Sequence, residues 1–416
     1  MSILPSNISR RSFLRGTAAT GAGGAALDGV AAISVLSSCG KPAETTADPV
    51  VVDSGTATYV VGSGDIQGSY EQAADGRGTA TLAEAGSWSL PLGCVLRPSE
   101  GAWKPYVVPS ETPSAMTSAG AFSVSSGTNA LLVDVPRTGG NFVIYDAQCS
   151  DSVFAWTELD IVSHEWRLFA ASFSDGALGT VTTLWKGDAD YDPPLTCCTA
   201  TNVIWLVMPS TSGSKSTESS SCYLWKAGAD SADEVVRSQG RFACAPTVSD
   251  GNVTLAPRVR VSEGRYFGIT AYSLDSDLST QVDQLVLPAS VAPMYATYMD
   301  GKFVFSIEAN YGTGGLLGNM GTYIGSGDGS FIVLPREPAA VVAGKGGVYL
   351  VKTRASHVIV DTNAQTYATL SAPNRTLDFG DYPASVGTTS TFVTFATVKD
   401  EQSGYPSSVQ VRAWSL

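Results

Sequence analysis

The chain has 416 residues, of which only 15% are charged, and it carries 43 glycines and a formal charge of −13. An acidic body of this kind repels nucleic acid and anionic lipid head groups, so nucleic acid is excluded as a partner. Abundant Gly, Ser and Thr with few charges favour strands and tight turns over helices.

The first 38 residues read as an address rather than as structure. Ser9-Arg10-Arg11-Ser12-Phe13-Leu14-Arg15 resembles the twin-arginine export consensus, and a weakly apolar, Ala/Gly-rich stretch follows from Gly16 to Val35. Leu36-Ser37-Ser38-Cys39 resembles a bacterial lipobox, which is cleaved before its cysteine. The resemblance implies a lipid on Cys39 and a mature protein at the outer face of the bacterial cytoplasmic membrane. It makes the twin-arginine export machinery a partner, with Arg10 and Arg11 as the export signal. Asp28 departs from the pattern by placing a charge inside the apolar stretch. Cleavage before Cys39 removes three arginines and one aspartate, leaving 22 basic and 37 acidic side chains and a charge of −15. Residues 39–56 read as a flexible tether rich in Pro, Thr and small residues. Residues 57–84 read as an N-terminal extension.

From residue 85 to 416 one pattern recurs. A turn built on Asp-Gly, Glu-Gly or a polar stand-in is followed four residues on by an apolar or ring residue in a β-type run. The clearest copies are Asp250-Gly251 before Leu255, Asp300-Gly301 before Phe305, and Gly346-Gly347 before Leu350. The copy at Glu100-Gly101 keeps its glycine but has Pro105 in the strand slot, which predicts a broken strand. Looser copies place Phe154, Ile204 and Phe395 in that slot, with Thr201-Asn202 standing for the turn before Ile204. The anchors 105, 154, 204, 255, 305, 350 and 395 are 45 to 51 residues apart. A β-rich period of that size predicts repeated four-stranded sheets, hence an all-β fold and a seven-bladed β-propeller. Six blades is the alternative, because the Pro105 copy is the weakest. The last repeat ends after three strands, so its fourth is expected from the N-terminal part, from Thr81-Leu82 or Ser87-Trp88-Ser89-Leu90.

Cys94, Cys149, Cys197, Cys198, Cys222 and Cys244 remain after Cys39. Their even number in an exported chain allows three disulfides, and the cluster at 197, 198, 222 and 244 predicts at least one bridge.

In a propeller blade the strands alternate in direction, so loops after strands two and four leave from one face. Those loops are the long and varied ones here, and ligand work is expected there. The loop 308–321 is rich in glycine and offers Glu308, Asn310, Tyr311 and Asn319 for hydrogen bonds and stacking. Equivalent positions in the other repeats are Glu158 and Asp160, Ser210, Arg258 and Arg260, Lys352 and Arg354, and Lys399 and Asp400. Arg258 and Glu308 sit three residues past consecutive anchors and are expected to face one another near the channel mouth, either paired internally or gripping a ligand carboxylate. Asp378, Asp381 and Tyr382 lie in the connection into the last repeat, on the same face. Asp188, Asp190 and Asp192 alternate as oxygen donors for Ca2+ would, but the distal glutamate of a calcium loop is missing. They read as an acidic turn, and no cofactor is expected. His164 and His357 stand in separate repeats and read as incidental.

The repeats resemble those of WD40-like or quinoprotein-like propellers, without the Gly-His and Trp-Asp dipeptides of true WD40 blades. With the N-terminus, the chain resembles exported propeller lipoproteins of Gram-positive bacteria. That resemblance brings no catalytic residues to transfer. The expected function is a membrane-anchored binding or scaffold module for an envelope carbohydrate, a peptide or a membrane protein. The alternative is a glycan hydrolase or lyase using carboxylates such as Glu308 and Asp381 as acid and base.

Overall fold

The computed structural model describes residues 47–62, 67–73, 82–109, 115–260, 264–308, 315–353, 356–369 and 382–415. The protein is an all-β propeller. Its described strands form seven sheets of four to six strands. Numbered in chain order, the sheets run from Val95 to Val133, Phe142 to Gly187, Leu195 to Ser238, Thr247 to Val286, Pro293 to Pro335, Val341 to Thr369, and Tyr382 to Ser415. Helix is confined to two short 3-10 turns among the described residues, Leu274–Ser276 and Leu316–Gly318. No described helix is long and apolar enough to cross a membrane.

The second strand of each sheet explains why the sheets stack. Side chains alternate across a strand, so a run that is apolar at every position buries both faces. In Lys302–Ile307, Phe303, Phe305 and Ile307 pack into the core shared with sheet 4. Val304 points the other way, into the core shared with sheet 6. In Asn202–Val207, Val203, Trp205 and Val207 face sheet 2, whereas Ile204 and Leu206 face sheet 4. Six such cores join consecutive sheets. A seventh packs Val393, Phe395 and Val411 of sheet 7 against Leu96, Tyr106 and Phe122 of sheet 1.

All seven sequence anchors lie on second strands. Pro105 does too, and here the expectation of a broken strand is corrected. Trp103–Pro109 is continuous, with Pro105 opposite Ala121. The Pro105 carbonyl accepts from the Arg97 amide at 2.8 Å, so the proline costs only its own missing donor. In sheet 3 the turn also shifts by one residue. Thr199 pairs with Asn202, and Ala200, at φ 45°, takes the left-handed position. Asp300 and Gly301 adopt φ 52° and 71°, the two left-handed residues that a tight hairpin of the right twist demands.

The N-terminal part runs along the outer edges of three sheets. Ala57–Tyr59 pairs in parallel with Phe331–Val333 of sheet 5. Glu71–Gln72 pairs in parallel with Thr366–Tyr367 of sheet 6. Ala83–Pro91 pairs antiparallel with Pro406–Ser415 as the fourth strand of sheet 7. The expected division at 84/85 therefore cuts through a strand. The tether is also shorter than expected, since the Val50 amide bonds the Val286 carbonyl at 2.9 Å and Val52 is buried in the core of sheets 4 and 5.

The expected disulfide is not formed. None of the six described cysteines is in a disulfide, and five of them are buried. Cys197 and Cys198 are neighbours on one strand and so face opposite cores. Cys222 lies opposite Leu206, two strands away from Cys197 and out of register with it.

Phe305 is fully buried, stacked on Tyr323 at 5.4 Å and edge-on to Phe331 at 5.9 Å. Phe305→Ala is expected to cost about 3–5 kcal/mol in denaturant unfolding, whereas alanine at exposed Ile161 changes stability by less than about 0.5 kcal/mol.

Candidate functional site

The hairpins between first and second strands all emerge at one end of the molecule, and their side chains tie the sheets to each other. Asp300 accepts the amides of Gly346 and Gly347 at 3.2 and 2.9 Å, linking sheets 5 and 6. Asp250 accepts the Asp300 amide at 3.3 Å and the Thr388 hydroxyl at 2.8 Å. The Ser249 hydroxyl takes the Thr388 amide at 3.0 Å. Asp151 accepts the Trp103 amide at 3.1 Å, and the Ser150 hydroxyl donates to the Ala200 carbonyl. Thr199 donates to Glu100 at 3.1 Å. Two of these ties skip sheets, one from sheet 4 to Gly387–Thr388, which pairs with the first strand of sheet 6, and one from sheet 1 to sheet 3, so they bridge across the middle of this turn end. Gly387, at φ 71°, permits the approach, because a Cβ there would stand 2.6 Å from the Val248 carbonyl.

Two titratable groups are trapped in this polar layer. Burial raises the Glu100 carboxyl above its ordinary value, the Thr199 hydroxyl lowers it in part, and the Asp250 charge adds to the rise. Lys104 is buried, donates to the Ser99 carbonyl at 2.8 Å, and is pushed down to about 8 by desolvation. The nearby acidic groups only partly offset that loss.

The opposite, loop end was the expected site. Arg258 is half-buried, and its amide donates to the Ser238 hydroxyl at 2.8 Å. Glu308 is exposed, and the two form no ion pair, which corrects the expected contact. Asn319 ends the Leu316–Gly318 turn, with its carbonyl taking the Tyr323 hydroxyl at 2.7 Å. Tyr382 is 56% exposed, lies 5.7 Å from the Phe395 ring, and has the Lys352 ammonium 6.0 Å from its centroid. Asn310, Tyr311, Arg354, Asp378 and Asp381 lie outside the described residues, as do Arg10, Arg11 and Cys39.

Other positions of the expected ring have structural duties. Glu158 is fully buried and accepts the Arg137 and Thr138 amides at 2.7 and 2.8 Å and the Trp156 indole at 3.0 Å. It folds the connection from sheet 1 down onto sheet 2. Asp160 and Asp400 each cap their own hairpins, and the amides of Val162 and Ser403 respectively lead in holding them below the usual carboxylate range. Ser210 donates its amide to the Asp190 carbonyl at 2.8 Å. Arg260 pairs with Asp48 at 3.4 Å, and Lys399 ends the second strand of sheet 7.

The acidic run is paired with basic side chains. Asp188 accepts the Asp190 amide at 3.0 Å, Asp190 pairs with Lys215 at 3.4 Å, and Asp192 pairs with Arg241 at 2.6 Å. Among the described residues no group of three His, Cys, Asp or Glu side chains has metal-holding geometry. His164 sits exposed in a turn at φ 62°, and His357 is buried edge-on to Phe392 at 5.5 Å.

The sequence reading missed the Arg97–Asp146 pair, at 2.8 Å between the innermost parts of sheets 1 and 2. Its signal was present: Asp146 is the lone charge in the strand Phe142–Cys149. At the loop end the Lys352 ammonium stands beside the exposed Tyr382 ring.

Residues 7–26 match the TAT (twin-arginine translocation) pathway signal sequence. The chain therefore carries an export signal read by the twin-arginine machinery, and that signal directs it across the cytoplasmic membrane. No curated protein matches it. Among solved structures it is similar to the β-propeller domain of the Trilobed protease from Pyrococcus furiosus, at 9% identity and a TM-score of 0.47, over 74% of this chain and 91% of that one. A prolyl endopeptidase matches at 11% identity and 0.48, over 73% of this chain and 45% of that one. An acylaminoacyl peptidase matches at 8% identity and 0.47, over 79% and 51%. The chain spans about half the length of these last two. Likeness at this level brings no activity with it.

The buried pair at the turn end sets a pH dependence. Glu100 binds its proton more tightly folded than unfolded, so its contribution is complete at acid pH and is lost as pH rises through its raised folded value. Lys104 releases its proton earlier when folded, so stability rises again between about 8 and its unfolded value of 10.5. Denaturation across pH is expected to show both slopes. Glu100→Gln should flatten the first and Lys104→Met the second.

Proposed function

We propose that this is an exported, lipid-anchored propeller that holds a ligand or partner on its loop end. The observation that carries this reading is the tying of the turn end. Asp250, Ser249 and Thr388, with Glu100 and Thr199, bridge non-adjacent sheets there. A ligand seeking the axis is left with the loop end, where Arg258, Lys352 and Tyr382 stand.

The seven sheets are read as the seven blades of one ring, closed by Ala83–Pro91 in the last blade. The packing of sheet 7 against sheet 1 supports that closure. Residues 1–38 are the cleaved signal, Cys39 carries the lipid, and a short tether leads to Ala47. The partner is an envelope carbohydrate, peptide or membrane protein. Glu308, Asn310, Tyr311, Asn319, Asp378 and Asp381 complete the candidate contact set with Arg258 and Tyr382.

Two measurements test this. Under detergent phase separation the processed protein should enter the detergent phase and Cys39→Ala the aqueous phase. The same distribution for both would remove the anchor. On arrays of cell-wall glycans and peptides, Arg258→Ala and Tyr382→Ala should each weaken binding about tenfold, the scale of one charge-assisted hydrogen bond or one stacked ring. Undiminished binding by the double variant would defeat the loop-end assignment. Turnover of a glycan, abolished by Glu308→Ala, would replace binding by hydrolysis.

A further inference from the structure

Ten large apolar side chains are exposed among the described residues, and eight of them, Tyr382 included, stand at the loop end. Ile161 and Val162 form the tip of the hairpin after Val153–Asp160. Val135 lies in the connection from sheet 1 to sheet 2, and Met294 begins the first strand of sheet 5. Met320 precedes the third strand of that sheet, and Tyr405 precedes Pro406–Ser415. Val51 lies beside Gly315 in the same region. At the turn end only Val282 belongs to the ten; the hairpins there carry Asp, Gly, Ser and Thr. Exposed apolar side chains gathered on one face mark a surface that is covered in use.

The path of the chain says what covers it. The described body starts at this same end. The Ala47 carbonyl accepts from Arg260, Asp48 pairs with that arginine, and the Val52 carbonyl takes the Leu316 amide at 2.5 Å. Arg260 ends the short strand Arg258–Arg260 and Leu316 opens the 3-10 turn, and both lie between the second and third main strands of their sheets. Cys39 is eight residue steps from Ala47, a reach of at most about 28 Å fully extended. A lipid on Cys39 thus tethers the loop end close to the leaflet.

We propose that the loop end docks on the membrane interface, with Ile161, Val162, Met320 and Tyr405 entering the head-group region of the outer leaflet. This rests on the lipid anchor of the proposed function, and it names the bilayer as a partner of the same face. With a charge of −15 on the processed chain, anionic lipid repels the body. The contact is therefore apolar, and added salt strengthens it by screening.

Site-specific labels test the orientation. Five of the six described cysteines are buried, and desolvation raises the thiols of Cys94, Cys149, Cys197, Cys198 and Cys222, so an introduced surface cysteine takes the label selectively. Val162→Cys at the loop end and Asp230→Cys at the turn end are labelled with an environment-sensitive dye in the processed full chain. The protein is then reconstituted into phosphatidylcholine vesicles with brominated acyl chains. The label at 162 should be quenched about twofold or more and the label at 230 unchanged, with Met320→Lys plus Tyr405→Lys reducing the first effect. Equal quenching at both positions, or none at either, overturns the proposal. So does shielding of the 162 label without vesicles in a sedimenting dimer, which assigns the face to a second copy. Detergent partitioning reads the anchor separately. If the chain proves unlipidated, the same labelled protein added to the same vesicles gives the same contrast or refutes it.

Discussion

Two-sided burial of the second strand governs this molecule. In Val203-Ile204-Trp205-Leu206-Val207 every side chain is buried, yet successive residues belong to different cores. A sheet with two apolar faces is not stable alone; each face needs a neighbour. The sheets therefore stabilise one another in sequence, and sheet 7 shares an apolar cluster with sheet 1. Pairing Ala83–Pro91 with Pro406–Ser415 joins segments more than 300 residues apart, which makes assembly dependent on distant contacts and slow. A twin-arginine signal fits such a chain, because that route carries proteins already folded. Described cysteines that form no disulfide and are mostly buried fit folding in a reducing compartment.

The same strand alternation divides the two ends. Hairpins between first and second strands are short, and their Asp and Gly residues reach the next sheet, as Asp300 reaches Gly346 and Gly347. Short turns bring polar backbone close together, so side-chain caps can bridge sheets and stiffen that end. Loops between second and third strands are longer and bond mostly within themselves, as Asp160 and Asp400 do through local amides. Rigidity at one end and variation at the other is the arrangement that lets a repeat fold carry a particular surface.

The fold was legible because its signal is repeated and local. A left-handed turn residue followed by a buried ring marks one second strand, and seven copies correct each other's noise. Pro105 was misjudged because the rule against proline in strands concerns the missing donor, and the neighbouring Arg97 amide still finds the Pro105 carbonyl. The disulfide expectation failed for a related reason. Cys197 and Cys198 are close in sequence, but strand alternation sends them to separate cores. The site was far less legible. Glu158 in Trp156-Thr157-Glu158 reads as the edge of a loop, and nothing local shows that residues 137 and 138 fold over it. Arg258 and Glu308 share a repeat position, but equal sequence phase does not give equal distance from the axis.

The N-terminal strands make the final connection between sequence, edge and orientation. Outer edges of sheets expose unpaired amides and carbonyls that invite other strands. Here residues 57–59, 71–72 and 83–91 run along three successive outer edges, of sheets 5, 6 and 7. The first two add in parallel, which no hairpin connection can do, so the segment must travel around the rim to reach each edge. That path begins beside sheets 4 and 5 at the loop end, where Val50 bonds Val286 and Val52 bonds Leu316. The segment that protects the edges thus also fixes where the N-terminal part of the chain leaves the body.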